Sequence, residues 1–154
     1  MPAIPKEGFG ARSMPLDRDA AWYGTAEARR VADVIVSFQT PAGGWSKNLD
    51  MSGAPRARGQ SYTTDNLSKH PGVEDFDTPR DPHWNYVGTL DNDATNTELH
   101  FLVLVSAATP GAAGDIYRAS FLRGIRYLPG GAASEWRLAA GVAAGGWLSR
   151  RNHV

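Results

Sequence analysis

The run at 94–107, "ATNTELHFLVLVSA", constrains the fold more than any other part of the chain. A helix there carries Leu99, Leu102, Val103, Leu104 and Val105 around most of its circumference and leaves little polar surface. A helix apolar nearly all round is normally buried on all sides, so its neighbours must supply apolar faces of their own. Two further stretches have helical period. In 26–39, "AEARRVADVIVSFQ", Ala28, Val31, Ala32, Ile35 and Phe38 mark one face. Thr25 is placed as N-cap, and Pro41 with Gly43 and Gly44 ends the helix. In 115–128, "DIYRASFLRGIRYL", the inner stripe is read as Ile116, Ala119, Leu122 and Ile125, with arginines outside. Residues 50–88, rich in Gly, Pro, Ser, Thr, Asp and Asn, lack period and are longer than most internal loops, as a functional surface loop or a partly disordered one would be. No pair of strands is visible. The class expected is all-α, and an outward-charged helix followed by a fully buried one suits an α/α barrel.

Composition removes several functions. Sixteen basic and sixteen acidic residues cancel, so no overall field draws in nucleic acid or an anionic membrane. The chain has no cysteine, which excludes a disulfide framework and a thiolate metal site. The first residues, "MPAIPKEGFGARSMPLDRDAAWYG", hold no apolar core of a secretory signal. No run reaches the roughly 18 apolar residues of a membrane span. A length of 154 residues is that of one ordinary domain. Residues 1–20 are expected to be a poorly structured N-terminal segment, 21–128 the folded body and 129–154 a separate tail.

Two polar turns flank the helices. "GGWSKN" at 43–48 follows the first helix at once. As structure alone it is a glycine C-cap with Trp45 folding back. As a site, Trp45 is an apolar plate for a sugar ring, Lys47 a cation for its carboxylate, and Asn48 a two-way hydrogen-bonding group. The second turn, "TLDNDAT" at 89–95, opens the apolar helix. Thr95 and Glu98 have capping-box spacing, and Asn92 or Asp93 could equally cap. One cap, worth about 1 kcal/mol, needs one such residue. Here Asp91, Asn92, Asp93, Thr95, Asn96 and Thr97 come together. Hard oxygens of this kind suit Ca²⁺, although the twelve-residue loop of an EF-hand is missing. Asp91 precedes the cap and is the residue freest to point into a cleft. His100 is read as a hydrogen-bonded core histidine.

"ADVIVSFQTPAGGWSKNLDM", "GTLDNDATNTELHFL" and "YRASFLRGIRYL", in that order, resemble the family-ten polysaccharide lyases, the pectate (pectic acid) lyases. Their pattern is a Gly-Gly-Trp-Pro-Lys-Asn turn, a Thr-x-Asp-Asn-x-Ala-Thr turn, and a helix ending near Tyr-Leu-Leu. The likeness covers about 21–128, and Ser46 stands where proline is usual. It implies an α/α toroid that cleaves polygalacturonate by Ca²⁺-dependent β-elimination, in a secreted or periplasmic setting. By the same resemblance Asp91 matches a calcium-site aspartate, and Trp45, Lys47, Asn48 and Asn92 match positions lining the cleft. The base it implies is an arginine in a later part of the fold. A non-catalytic carbohydrate-binding remnant is the second reading. Gln39, Gly43 and Trp45 also have the spacing of the glutamine–tryptophan motif of triterpene cyclases, the third reading.

After Leu128 the chain reads "PGGAASEWRLAAGVAAGGWLSRRNHV", small residues without a helical stripe and then a basic end. Residues 134–154 can be encoded so that reading one nucleotide later gives Pro-Asn-Gly-Gly-Trp-Pro-Gln, the continuation the lyase pattern calls for. Residues 129–154 are therefore expected to be out-of-frame translation, and the chain an incomplete, truncated toroid without activity. The nucleotide sequence around codon 128 tests this. A shift of one base there should restore the Gly-Gly-Trp pattern and carry it onward, and a shifted frame closing at a stop codon within a few codons would refute it.

Overall fold

The computed structural model describes residues 5–8, 10–63, 88–130 and 134. Most of the expected long loop (64–87) and most of the tail lie outside the described residues. Among the described residues there are three α-helices and no strand, as an all-α fold requires. They are α1 (Ala26–Ser37), α2 (Asn96–Ala108) and α3 (Ala112–Tyr127).

The first helix forms as its sequence indicates. Thr25 Oγ accepts from the Ala28 amide at 3.2 Å, which satisfies one orphan donor of the first turn. Ala28, Val31, Ala32, Val34 and Ile35 are buried along one face. The helix stops at Ser37, two residues before the expected end, and Gln39 turns away to make a joint. Its side-chain Nε2 donates to Gly43 O at 2.8 Å and to Ser120 O at 2.9 Å. Its Oε1 accepts from Ser120 Oγ at 2.7 Å and from Arg123 Nε and Nη2 at 3.0 and 2.7 Å. Both halves of a buried amide are thereby used, so Gln39 can leave water without an orphaned polar group. The Gln39–Trp45 spacing serves this joint between the first turn and α3.

The second helix is buried on most of its circumference. Leu99, Phe101, Leu102 and Val105 are at 0% exposure, while Val103 and Leu104 are half-buried. His100 departs from its expected place in the core and is exposed. The third helix is amphipathic, but its inner stripe is shifted from the expected one. Tyr117, Phe121, Gly124, Ile125 and Leu128 face the core, whereas Ile116 and Leu122 are 57% and 39% exposed and Ala119 lies outside with them. Shape decides this phase. A Cβ on Gly124 would stand 2.5 Å from Leu99 Cδ2 and 3.0 Å from Trp45 Cζ3, so only a glycine face lets α3 approach α2 so closely.

The N-terminal segment, expected to have little structure, packs on this body over residues 5–8 and 10–24. Gly8 N donates to Asn48 O at 2.8 Å, Glu7 bridges Leu49, and Met14 joins the core. Trp22 and Tyr23 meet Phe101 edge-on at 6.2 and 5.9 Å, a favourable aromatic arrangement.

The stripe is testable. Gly124→Ala should lower stability in urea unfolding by about 1–3 kcal/mol through overpacking. Leu122→Ser should change it by about 0.5 kcal/mol or less, as an exposed position does. The opposite ranking would restore the aliphatic stripe.

Candidate functional site

The two polar turns are knitted into one platform. Trp45 N donates to Thr95 Oγ at 3.0 Å, Thr95 Oγ donates to Thr89 O at 2.8 Å, and Thr89 N donates to Trp45 O at 2.8 Å. The indole of Trp45 is 0% exposed, and its Nε1 donates to Ile35 O at 2.8 Å. Gly88 makes the approach possible: its φ is +70°, and a Cβ there would lie 2.6 Å from Trp45 N.

Trp45 is therefore a pillar beneath the platform. The expectation that its ring stacks on a sugar needs correction, because no ring face is open to one. The turn is too closely stitched to 89–95 for the indole to lie anywhere but underneath.

The next residues of each turn meet at the surface in register. Lys47 Nζ lies 2.6 Å from Asp91 Oδ2, with the side chains 49% and 58% exposed. Asn92 Nδ2 donates to Asn48 Oδ1 at 3.3 Å. Lys47, Asn48, Asp91 and Asn92 are thus brought together. Lys47 holds the Asp91 carboxyl below its usual range, through its hydrogen bond first and its charge second. The other Asp91 oxygen accepts from the Asn92 amide at 3.0 Å.

The backbone here is strained. Asn48, Asn92, Asp93 and Thr95 have φ of 60°, 52°, 60° and 66°. Asn and Asp tolerate the left-handed region, but a β-branched threonine there is an outlier held by its surroundings. Thr95 is fixed by its hydroxyl, which is committed to Trp45 and Thr89 and is not used as a helix cap. Residues kept in such conformations cluster at binding and catalytic sites.

Glu98 completes the turn from within. It is 3% exposed, and burial raises its carboxyl from 4.5 to about 7, against the pull of its own amide and that of Thr95. The capping box expected from Thr95 and Glu98 does not supply a side-chain cap, because the Thr95 hydroxyl is spent on Trp45 and Thr89. Glu98 Oε2 has no hydrogen-bond partner among the described residues.

Asp91 offers hard oxygens, and Asn92 Oδ1 accepts no hydrogen bond among the described residues. These two consecutive oxygens suit calcium in chemistry but supply only part of its six to eight ligands. No group of three or more His, Asp or Glu among the described residues encloses a metal. The site is an exposed surface. A cavity of about 550 Å³ lies elsewhere, between residues 16–24 and α2, and His100 lines it.

A carboxyl raised on folding is favoured in its protonated form. Between 4.5 and about 7 the folded chain keeps a Glu98 proton that the unfolded chain has released, so stability falls as pH rises through this window. The fall is on the order of 3 kcal/mol. The lowered carboxyls of Asp50 and Asp91 act in the opposite direction and only in acid, below 3.8. Urea unfolding at pH 5 and pH 8 should show this loss, and Glu98→Gln should flatten it. An equal slope in both proteins would remove Glu98 from the account.

Among curated proteins, none matches this chain. A family model described as pectic acid lyase matches residues 39–136, which includes both turns, α2 and α3. The match stops at 136, inside the segment read as out of frame. With the Trp45 turn and the Asp91–Asn92 turn joined inside the matched stretch, the chain belongs to the pectic acid lyase family.

Proposed function

We propose that the joined turns grip polygalacturonate through a divalent cation, in the manner of a calcium-dependent pectate lyase of family ten. The observation that carries this reading is the register of a cation, a carboxylate and two amides across one strained, exposed edge. Lys47 and Asp91 form an ion pair in open solvent, and such pairs are worth about 0–1 kcal/mol. Exchanging partners is therefore easy. A uronate carboxylate takes Lys47, and the released Asp91, with Asn92 Oδ1, turns to a cation.

Calcium bound there would neutralise the uronate carboxylate and acidify the proton at C5. Elimination then moves that proton to a base, forms the C4–C5 double bond and releases O4 without consuming water. Lys47, Asn48 and Asn92 bind and orient the sugar acid. Asp91 holds the charge. The base that the resemblance implies is an arginine in a later part of the fold. Because the family match stops at 136 and the residues after it read as out of frame, we infer that this polypeptide binds without turnover, in a secreted or periplasmic setting.

Calorimetry with oligogalacturonate should show binding that needs calcium and disappears with a chelator. Asp91→Ala should abolish the calcium-dependent part. Lys47→Ala should weaken binding by roughly tenfold or more, as loss of a charge-assisted bond does. Unchanged binding in Asp91→Ala would overturn the site. Release of unsaturated, ultraviolet-absorbing product by the 154-residue chain would overturn the inactivity.

A further inference from the structure

The amides of Asn48 and Asn92 can each present oxygen or nitrogen to a ligand, and something must choose. Glu7 lies beside them, although it falls outside the stretch that matches the family. Its segment is fixed by backbone contacts. Gly8 N donates to Asn48 O at 2.8 Å, and Asp50 N donates to Lys6 O at 3.3 Å. Gly10, at φ +53°, sits so close that a Cβ would stand 3.0 Å from Asn48 Cα. The four-residue turn Gly10–Ser13 lies against 91–93. Glu7 Oε1 is thereby brought within 3.4 Å of Asn48 Nδ2.

An ionised carboxylate only accepts hydrogen bonds. Asn48 must then offer its NH₂ to Glu7, which leaves Asn48 Oδ1 to accept from Asn92 Nδ2 at 3.3 Å. Asn92 has its NH₂ committed, and its oxygen accepts no hydrogen bond among the described residues. We infer that Glu7 orients this pair of amides so that Asn92 Oδ1, next to the Asp91 carboxylate, is presented to a cation. Glu7 is a positioning residue for the grip on cation and uronate, and the inference rests on the reading given under Proposed function. Partners that orient a ligating group commonly change metal affinity by 10–100-fold when removed.

The test uses the whole chain, a short oligogalacturonate and calorimetry across a calcium titration, with circular dichroism as the check on folding. Glu7→Lys has only donors, so it reverses the relay and turns the Asn92 NH₂ outward. It should lose roughly tenfold in calcium-dependent affinity. Glu7→Leu, which removes the acceptor without adding charge, should weaken binding in the same direction. Glu7→Gln can still accept through its oxygen and should keep most of the affinity. Glu27→Lys makes the same charge change on the exposed first turn of α1 and should bind as the unaltered chain does. The relay is overturned if Glu7→Lys and Glu27→Lys bind alike, or if Glu7→Gln falls as far as Glu7→Lys. Absence of calcium-dependent binding in the unaltered chain would instead overturn the pectate-binding reading itself.

Discussion

The burial of Trp45 beneath two turns is the constraint on which the rest of the molecule depends. Its backbone is tied to Thr89 and Thr95, its indole nitrogen to Ile35, and its ring lies against the glycine face of α3. A large aromatic side chain with a satisfied N–H can be placed at the centre of a core at little polar penalty. Because the same residue also begins the Trp45–Asn48 edge, core packing and site geometry share one anchor. Any shift of α3 against α2 is transmitted to Lys47 and Asn48.

The second turn shows what that anchoring makes possible. Asn92, Asp93 and Thr95 in left-handed conformations would relax in an isolated peptide. Here the Thr95 hydroxyl accepts from Trp45 N and donates to Thr89 O, and Glu98 is buried one turn further along α2. Glu98 is itself uncomfortable there, which its raised carboxyl and unpartnered oxygen both express. The turn is thus kept at the expense of local stability. A helix cap alone would need much less.

Parts of this were legible in the residues. The Thr25 cap and the Ala28–Ile35 stripe gave α1 almost to its ends, and the apolar run gave α2. The four polar surface residues of the site were all named from their turns. The stripe of α3 was misread by one position, because aliphatic Ile116 and Leu122 look more like core than Gly124 and Tyr117 do. Periodicity ranks residues by hydrophobicity, whereas the α2–α3 contact is decided by how closely two backbones can approach. Trp45 was misassigned for a related reason: an indole beside two glycines reads equally well as a plate for a sugar and as a plug for a core. Glu7 gave no signal, since it belongs to the site only through backbone pairing with Leu49.

Local chemistry written in consecutive residues was thus determined by the sequence by itself: the Thr25 cap, the helical runs, the crowded oxygens at 91–93 and the cation at 47. These depend on neighbours within a few positions, and such interactions repeat wherever the residues recur. Only the tertiary structure decided which face α3 turns inward, that Trp45 supports the site from below, and that 47 and 48 pair with 91 and 92. Those outcomes rest on contacts between separate elements, those of 47 and 48 with 91 and 92 joining residues 44 positions apart. Their geometry is set by packing and chain closure, and no local pattern encodes either.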